Sequence, residues 1–267
     1  MNISFTKMHS AGNDYIFIDM SKNKTFDASK ASKLFSKRHF SIGSDGIILI
    51  SKRHKCDSEI KMYNSDGSEG AICGNGLRCV GKYLYDDCRK SKKSFIISTS
   101  SGIKIVDIHS DKTHNTSYVT ANMGKYNLTQ RNLSDSNQTT YVNIGNDHAV
   151  VFVNNTDLAD LNGYYNAINS SRNNIDEINV EICSLSLNSN IYARVMERGS
   201  GETLSCGSGA CAIAVSLVEQ KIKPLEEWIP IVYKGGQLDV KVMKNGSVFL
   251  GGDVTRVFEG EIEYYET

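Results

Sequence analysis

Two short segments of this chain have residue types and spacing suited to chemistry. Cys73-Gly74-Asn75-Gly76 and Cys206-Gly207-Ser208-Gly209 share the pattern Cys-Gly-X-Gly, and each leads into a run with helical spacing. Glycines let the backbone turn tightly and leave amide N–H groups uncovered. The first-turn amides of a helix have no partner within it, so such an element attracts an anion. Its positive end also favours thiolate over thiol, and each cysteine pKa is expected to fall from the free value of about 8.5 toward neutrality. One such element would be an anion cradle or a nucleophile loop. Two describe a cleft with a sulfur on either side. Inverting a tetrahedral stereocentre needs that arrangement: one group removes the α-proton while the other delivers a proton to the opposite face, and the roles exchange in reverse. Amides aimed at the substrate carboxylate would stabilise the charge that builds as the proton leaves. No lysine Schiff base is required, and neither a pyridoxal nor a metal motif is visible, so no cofactor is expected.

The elements that must position these segments are mostly strands. Alternating β-branched and aromatic residues between Gly, Ser, Asn and Asp clusters predict strands at Ile3–Lys7, Tyr15–Asp19, Ile47–Ile50, Glu59–Tyr63, Ser94–Ser98, Ile103–Ile108 and Tyr118–Asn122. Further strands are predicted at Tyr141–Ile144, Ala149–Val153, Ile191–Met196, Leu238–Met243 and Ser247–Leu250, with hairpin turns at 100–102 and 244–246. Helical patterns begin near Asp27, after Cys73 and after Cys206. Many strands with scattered helices imply an α+β fold. The two Cys-Gly-X-Gly elements lie 133 residues apart (73 to 206), about half the chain of 267. Each follows a strand-like run and an acidic, glycine-containing turn (Asp66-Gly67-Ser68-Glu69; Glu197 to Glu202). Two similar halves are therefore expected: 1–115, joined by the C-terminal segment 252–267, and 116–251.

The remaining cysteines are assigned no chemistry. Cys79 and Cys211 fall inside the helical runs as core residues, Cys88 closes a helix, Cys183 ends a strand and Cys56 sits in a polar turn. Seven cysteines without a CxxC pair argue against a disulfide framework, and the spacing of Cys73/Cys79 and Cys206/Cys211 does not suit zinc. Lysine plus arginine equals aspartate plus glutamate at 30 each, so no long-range field points to nucleic acid or a membrane surface. The ligand is expected to be small and recognised locally, here an amino acid, with a homodimer left open as the assembly. No apolar run reaches the roughly 18 residues of a membrane helix. The N-terminus turns polar too early for a secretory segment, which implies a cytoplasmic protein.

Six motifs together resemble the diaminopimelate epimerase family: KMHSAGNDY (7–15), IGSDG (42–46), YNSDGSEGAICGNGLRC (63–79), GNDHAVVFV (145–153), NVE (179–181) and ERGSGETLSCGSGACA (197–212). They span the chain in the family's order, and the third and last are highly specific. The resemblance implies two pseudo-symmetric α/β domains, each a mostly antiparallel sheet or barrel-like layer around a central helix, with the active site in the interdomain cleft. It implies interconversion of LL- and meso-2,6-diaminopimelate, on the route to lysine and peptidoglycan precursors, with Cys73 and Cys206 as the catalytic pair. By the same resemblance Gly74, Asn75, Gly207 and Ser208 would hold the reacting carboxylate through main-chain amides. Asn64, Asn146, Asn179 and Arg198 would hold the distant amino-acid end, and Asn13, His148 and Glu197 would lie near the reacting amine or the thiols. Taken alone, His148 beside an apolar strand reads as a core histidine, Asn13 and Asp45 as turn residues, and Arg198 as a surface ion pair. Asp45 receives no role.

The chain departs from the family pattern in places. Asp147 stands where proline is usual, Ser10 where glycine is usual, and only Pro224 and Pro230 occur in the whole sequence. Loss of a turn proline restores backbone freedom, which bears on the placement of Asn146 and His148. The stretch Asn154–Asp176 is rich in Asn and Ser and matches no motif. A sibling racemase acting on another amino acid such as histidine, or an amino-acid-binding protein without activity, are the competing readings. Arg198 favours diaminopimelate, because a substrate with one carboxylate would not need it.

Overall fold

A computed structural model of the chain describes residues 1–70, 73–87, 91–113, 115–130, 139–170, 177–186 and 190–265. The chain divides into two compact units, Met1–Ala121 with Asp253–Thr267 and Asn122–Gly252.

In the first unit β1 (Asn2–Ser10) and β2 (Asn13–Asp19) form a hairpin. Its two connecting residues, Ala11 and Gly12, both take positive φ (49° and 78°). Helix α1 (Ala28–Phe35) then carries the chain over to β3 (Gly46–Arg53), which lies parallel to β2. The side chain of Asp27 caps α1 by accepting from the Lys30 amide at 3.0 Å. β3 pairs antiparallel with β4 (Cys56–Asn64), followed by the short β5 (Glu69–Gly70) and helix α2 (Gly74–Asp87). β6 (Ser94–Thr99) returns parallel to β4, and β7 (Gly102–Asp111) and β8 (Thr116–Lys125) continue antiparallel.

Strands approach α2 from different sides. A Cβ on Gly76 would lie 2.7 Å from Ile48 Cδ1 on β3, and one on Gly81 would lie 2.3 Å from Val106 Cγ1 on β7. Glycine at these two positions lets strands pack directly on the helix backbone, so α2 is the core of the unit. α1 covers the outside of the sheet, where Phe35 joins Ile3, Ile16, Ile18 and Ile47 in one apolar cluster.

The second unit repeats this order. It contains β9 (Asn127–Gln130), β10 (Thr140–Asn143), β11 (Asp147–Phe152), α3 (Leu161–Asn169), β12 (Asn179–Leu185), β13 (Ile191–Glu197), β14 (Gly201–Thr203), α4 (Gly207–Glu219), β15 (Trp228–Tyr233), β16 (Gly236–Val242) and the first part of β17 (Ser247–Glu263). β10–β11 is antiparallel, β11–β12 parallel across α3, β12–β13 antiparallel and β13–β15 parallel across α4. β15–β16 and β16–β17 are antiparallel. α4 consists of small and apolar residues, Gly209 to Leu217 all buried, as a central helix must. The registers agree residue for residue: Tyr15 opposes Gly46 as His148 opposes Asn179, and Tyr63 opposes Glu69 as Met196 opposes Glu202, each pair offset by the same 133 positions.

Each unit is completed by chain that continues the other unit's last strand. β9 follows one residue after β8 and pairs with β10. β17 pairs with β16 through Val248–Gly251, then with β1 through Thr255–Glu263.

The architecture is the expected α+β fold with a central helix in each half. Cys79, Cys183 and Cys211 are buried as expected, and both hairpin turns fall where anticipated. Cys56 is corrected: it is the first residue of β4, paired with Arg53, because the turn closes at Lys55 (φ 67°). Cys88 and residues 171–176 of the Asn/Ser-rich stretch lie outside the described residues. The same stretch contains α3, which the sequence pattern did not predict. Among the described residues no helix is long and apolar enough to cross a membrane.

Candidate active site

In the first unit, Cys73 precedes α2 and its thiol donates to Asn13 Oδ1 at 3.0 Å. Asn13 is held in turn. Its Nδ2 donates to Asp45 Oδ2 at 2.6 Å, and Asp45 also accepts from the Asp14 amide (3.0 Å) and from Arg38 (2.9 Å). Arg38 and Lys7 both pair with Asp14 at 2.5 Å. Burial alone would raise the Asp14 pKa, but the two cations hold it below the ordinary carboxylate range. Charge is thus balanced at the β1–β2 and β3 ends, and a neutral amide faces the sulfur. Tyr15, two residues beyond Asn13, is buried and hydrogen-bonded with Cys73, and burial first, then Cys73, keeps its phenol protonated. On another side of Cys73 lies a small, open, largely apolar depression lined by Ile48, Ile60, Met62 and Leu77.

Gly74 and Asn75 are the first residues of α2. The Asn75 side chain turns inward and accepts from Arg78 at 2.6 Å, which leaves its main chain at the helix start. Asn64 ends β4 opposite Gly46, and its Nδ2 donates to Ser68 Oγ at 3.0 Å.

In the second unit, Cys206 is the N-cap of α4. Its sulfur accepts the Gly209 amide at 3.4 Å and lies 3.5 Å from Ser208 Oγ. Gly207 and Ser208 occupy the first turn, where amides have no intrahelical acceptor. Cys206 is hydrogen-bonded with Glu197 at the end of β13, which also accepts from Thr203 Oγ1. His148 and Glu181 are fully buried beside them, with Nδ1 2.8 Å from Oε1. Asn179 opposes His148 on β12, and its Oδ1 accepts the Arg198 amide at 2.8 Å. The Arg198 guanidinium is exposed and donates to the Glu177 carbonyl at 3.4 Å, and among the described residues it makes no ion pair. Asn146 is half-buried in the turn before β11. That turn is tied by Asn143, whose Nδ2 donates to Asp147 Oδ1 at 2.7 Å and whose Oδ1 accepts from Gly145. The aspartate in the proline position therefore restrains the turn through its side chain.

One expectation is reversed. Burial first, then the carboxylates of Glu197 and Glu181, push the Cys206 thiol well above the ordinary cysteine range. The Ser208 hydroxyl and the Gly209 amide at the helix start pull the other way and do not prevail. The helix end is a fixed partial charge near a sulfur that is only 6% exposed, and desolvation of a thiolate outweighs it. Burial likewise raises the Glu197 carboxyl. Cys206 in this state is a thiol. Three residues near the cysteines went unassigned in the sequence: Asp45, Tyr15 and Glu181. The signal for Tyr15 is an internal match, Gly12-Asn13-Asp14-Tyr15 against Gly145-Asn146-Asp147-His148, at the same spacing as the two cysteines.

Two repeated α+β units, each built round a central helix, form a fold shared with solved structures that bear different names. The chain superimposes on a phenazine biosynthesis protein of the PhzF family from Bacillus anthracis with a TM-score of 0.80, at 14% identity over 99% of this chain and 100% of that one. It superimposes on a hydroxyproline epimerase from Agrobacterium vitis with a TM-score of 0.70, at 13% identity over 98% of this chain and 91% of that one.

The particular family follows from sequence: the chain belongs to the diaminopimelate epimerase family, whose profile matches residues 5–129 and 140–257. A diaminopimelate epimerase from Bacteroides thetaiotaomicron is 38% identical over 98% of both chains. One from Methanococcus maripaludis is 35% identical over 98% of this chain and 100% of its own.

Proposed function

We propose that this chain interconverts LL- and meso-2,6-diaminopimelate by moving the α-proton between two thiols, Cys73 and Cys206, without a cofactor. The observation that carries the reading is the duplicated element itself: each unit sets a cysteine at the start of its buried helix, among polar residues gathered from the ends of neighbouring strands. Membership of the family supports the substrate. Cys206, held as a thiol by burial and by Glu197, enters as the acid; Cys73, after releasing to solvent the proton it donates to Asn13, takes the α-proton as a thiolate. In the reverse direction the roles exchange. Main-chain amides of Gly74, Asn75, Gly207 and Ser208 receive the reacting carboxylate, where negative charge develops. His148 and Glu197 attend the ammonium group. Asn64, Asn146, Asn179 and Arg198 bind the distant end, and the exposed guanidinium of Arg198 suits a second carboxylate. The reaction belongs to the synthesis of lysine and peptidoglycan precursors, and we place it in the cytoplasm.

The test is α-proton exchange in heavy water over a panel of LL- and meso-diaminopimelate, histidine, proline and glutamate. Exchange with diaminopimelate, lost in Cys73→Ala, is the expected result. Exchange with histidine and not diaminopimelate would give the sibling racemase, and exchange unchanged in Cys73→Ala would overturn the two-thiol mechanism.

A further inference from the structure

The repeat allows each residue near one cysteine to be compared with its equivalent near the other. In the first unit Ile48 packs against the first turn of α2, with Cδ1 2.7 Å from where a Cβ on Gly76 would stand. In the second unit the equivalent residues, 133 positions on, are Glu181 and Gly209. Glu181 Oε1 lies 2.5 Å from where a Cβ on Gly209 would stand, and the Cys206 Cβ is 3.1 Å from the same point. One slot between strand and helix start is thus filled by hydrocarbon in one unit and by a carboxylate in the other. The fold itself does not call for the carboxylate, since isoleucine serves the same packing position in the repeat. Burying a carboxylate is costly unless something compensates it.

What it holds is His148. That residue is the equivalent of Tyr15, so the pair Tyr15 and Ile48 of the first unit is replaced by His148 and Glu181 in the second. Both side chains are 0% exposed, with Nδ1 2.8 Å from Oε1. An ionised carboxylate only accepts hydrogen bonds, so the proton in this bond sits on Nδ1. In the neutral tautomer with its proton on Nδ1, Nε2 is a lone pair. Among the described residues neither it nor Glu181 Oε2, both buried, has a hydrogen-bond partner. The groups around the pair are Glu197 from β13, Cys206 at the start of α4, Cys183 from β12 and Tyr233 from β15, whose hydroxyl is also buried without a partner. An unpartnered acceptor beside a thiol and a second carboxylate suits a donor brought in by the ligand.

We infer that Glu181 is a positioning residue: through Nδ1 it holds His148 in the tautomer that offers a lone pair at Nε2 to the ammonium group of the amino-acid substrate. This rests on the proposed epimerase reading for the identity of the donor, and on the geometry alone for the tautomer.

Ring-nitrogen NMR of the full chain, labelled with ¹⁵N, separates the two. His148 is assigned by its loss in His148→Gln. In the wild type Nδ1 should carry the proton and Nε2 should resonate as an unprotonated nitrogen. Glu181→Ile, which installs the residue of the first unit, should move the ring toward the Nε2–H tautomer favoured by free imidazole and lower kcat for α-proton exchange by about 10-fold or more. Glu181→Gln, closer in shape, should fall between. His148→Tyr with Glu181→Ile rebuilds the first unit's pair; it should fold while exchange stays low, and it serves if Glu181→Ile alone does not fold. Wild-type nitrogen shifts in Glu181→Ile, or wild-type exchange in the double variant, would overturn the inference. If the wild type exchanges no amino-acid α-proton, the proposed function falls, while the nitrogen shifts still decide whether Glu181 sets the tautomer.

Discussion

Gly81 lies in the middle of α2, seven residues after Gly74 opens the helix and in contact with β7. Replacing it by alanine puts a methyl 2.3 Å from Val106 Cγ1 and 3.2 Å from Val106 Cβ, against an ordinary carbon–carbon contact of about 3.5–4.0 Å. Val106 is fully buried and β-branched, so it has no open direction in which to turn. Overpacking of this kind costs about 1–3 kcal/mol, and the better helix propensity of alanine returns roughly 1 kcal/mol, for a net loss of up to about 2 kcal/mol. Val106→Ala alone removes two buried methyl groups and should cost about 2–3 kcal/mol. The double variant should be no less stable than Val106→Ala, because the alanine methyl at 81 enters the space vacated at 106. Urea denaturation of the four proteins measures this cycle. A double variant whose loss equals the sum of the single losses, within about 0.5 kcal/mol, would refute the claim that α2 and β7 meet at this point. The cycle has a functional arm as well. α2 carries Cys73 at its start, and a misplacement of about 1 Å at a reacting group can cost 100-fold. Gly81→Ala should therefore slow α-proton exchange, and Val106→Ala added to it should recover part of the rate.

Cys73→Ser and Cys206→Ser should each reduce exchange by about 100-fold or more, because a serine hydroxyl ionises far too high to serve as acid or base near neutrality; steady-state exchange by NMR checks both. Burial raises the thiols of Cys79, Cys183 and Cys206, so each ionises at lower pH in the unfolded chain, near about 8.5, than in the folded one. Their contribution to stability is complete below that pH and is lost as pH rises above it. The urea midpoint should accordingly fall between pH 8 and 9.5, and a midpoint that rises there contradicts the assignment. Asp45→Ala frees the amide of Asn13 from its only described carboxylate contact and should lower exchange about 10-fold, with a loss of roughly 1–3 kcal/mol in stability; unaltered exchange would show that Asn13 is fixed without it.

Much of the site was legible because its signal is local. Cys-Gly-X-Gly before an apolar helix can be read from a few residues, and period-two alternation marked the strands that carry one polar face. β12, anticipated only as a strand ending at Cys183, runs two residues further to Leu185 and shows no such alternation, because it is buried on both faces from Asn179 to Ser184 and Glu181 interrupts nothing. β15 contains Pro230, which argues for a turn. The proline stands just before Ile231 and Val232, the residues that pair with β13, where no amide is required of it. α3 is hidden by asparagines of low helix propensity. It forms because Asp160 caps it, accepting from Gly163 at 2.9 Å, and because Leu161, Tyr164 and Ile168 pack on β11 and β12. The raised Cys206 pKa was illegible for another reason: it depends on residues 25 positions upstream and on the loss of water, neither of which the motif encodes.

The crossing of β17 from one unit to the other sets an order on synthesis. β1 leaves the ribosome about 250 residues before its antiparallel neighbour, Thr255–Glu263. Until then one edge of β1 stands open, a template for stray pairing with other nascent chains. Asn122–Gly252 can finish folding before Met1–Ala121 does. A chain that stalls before Thr255 would leave the earlier half unsealed.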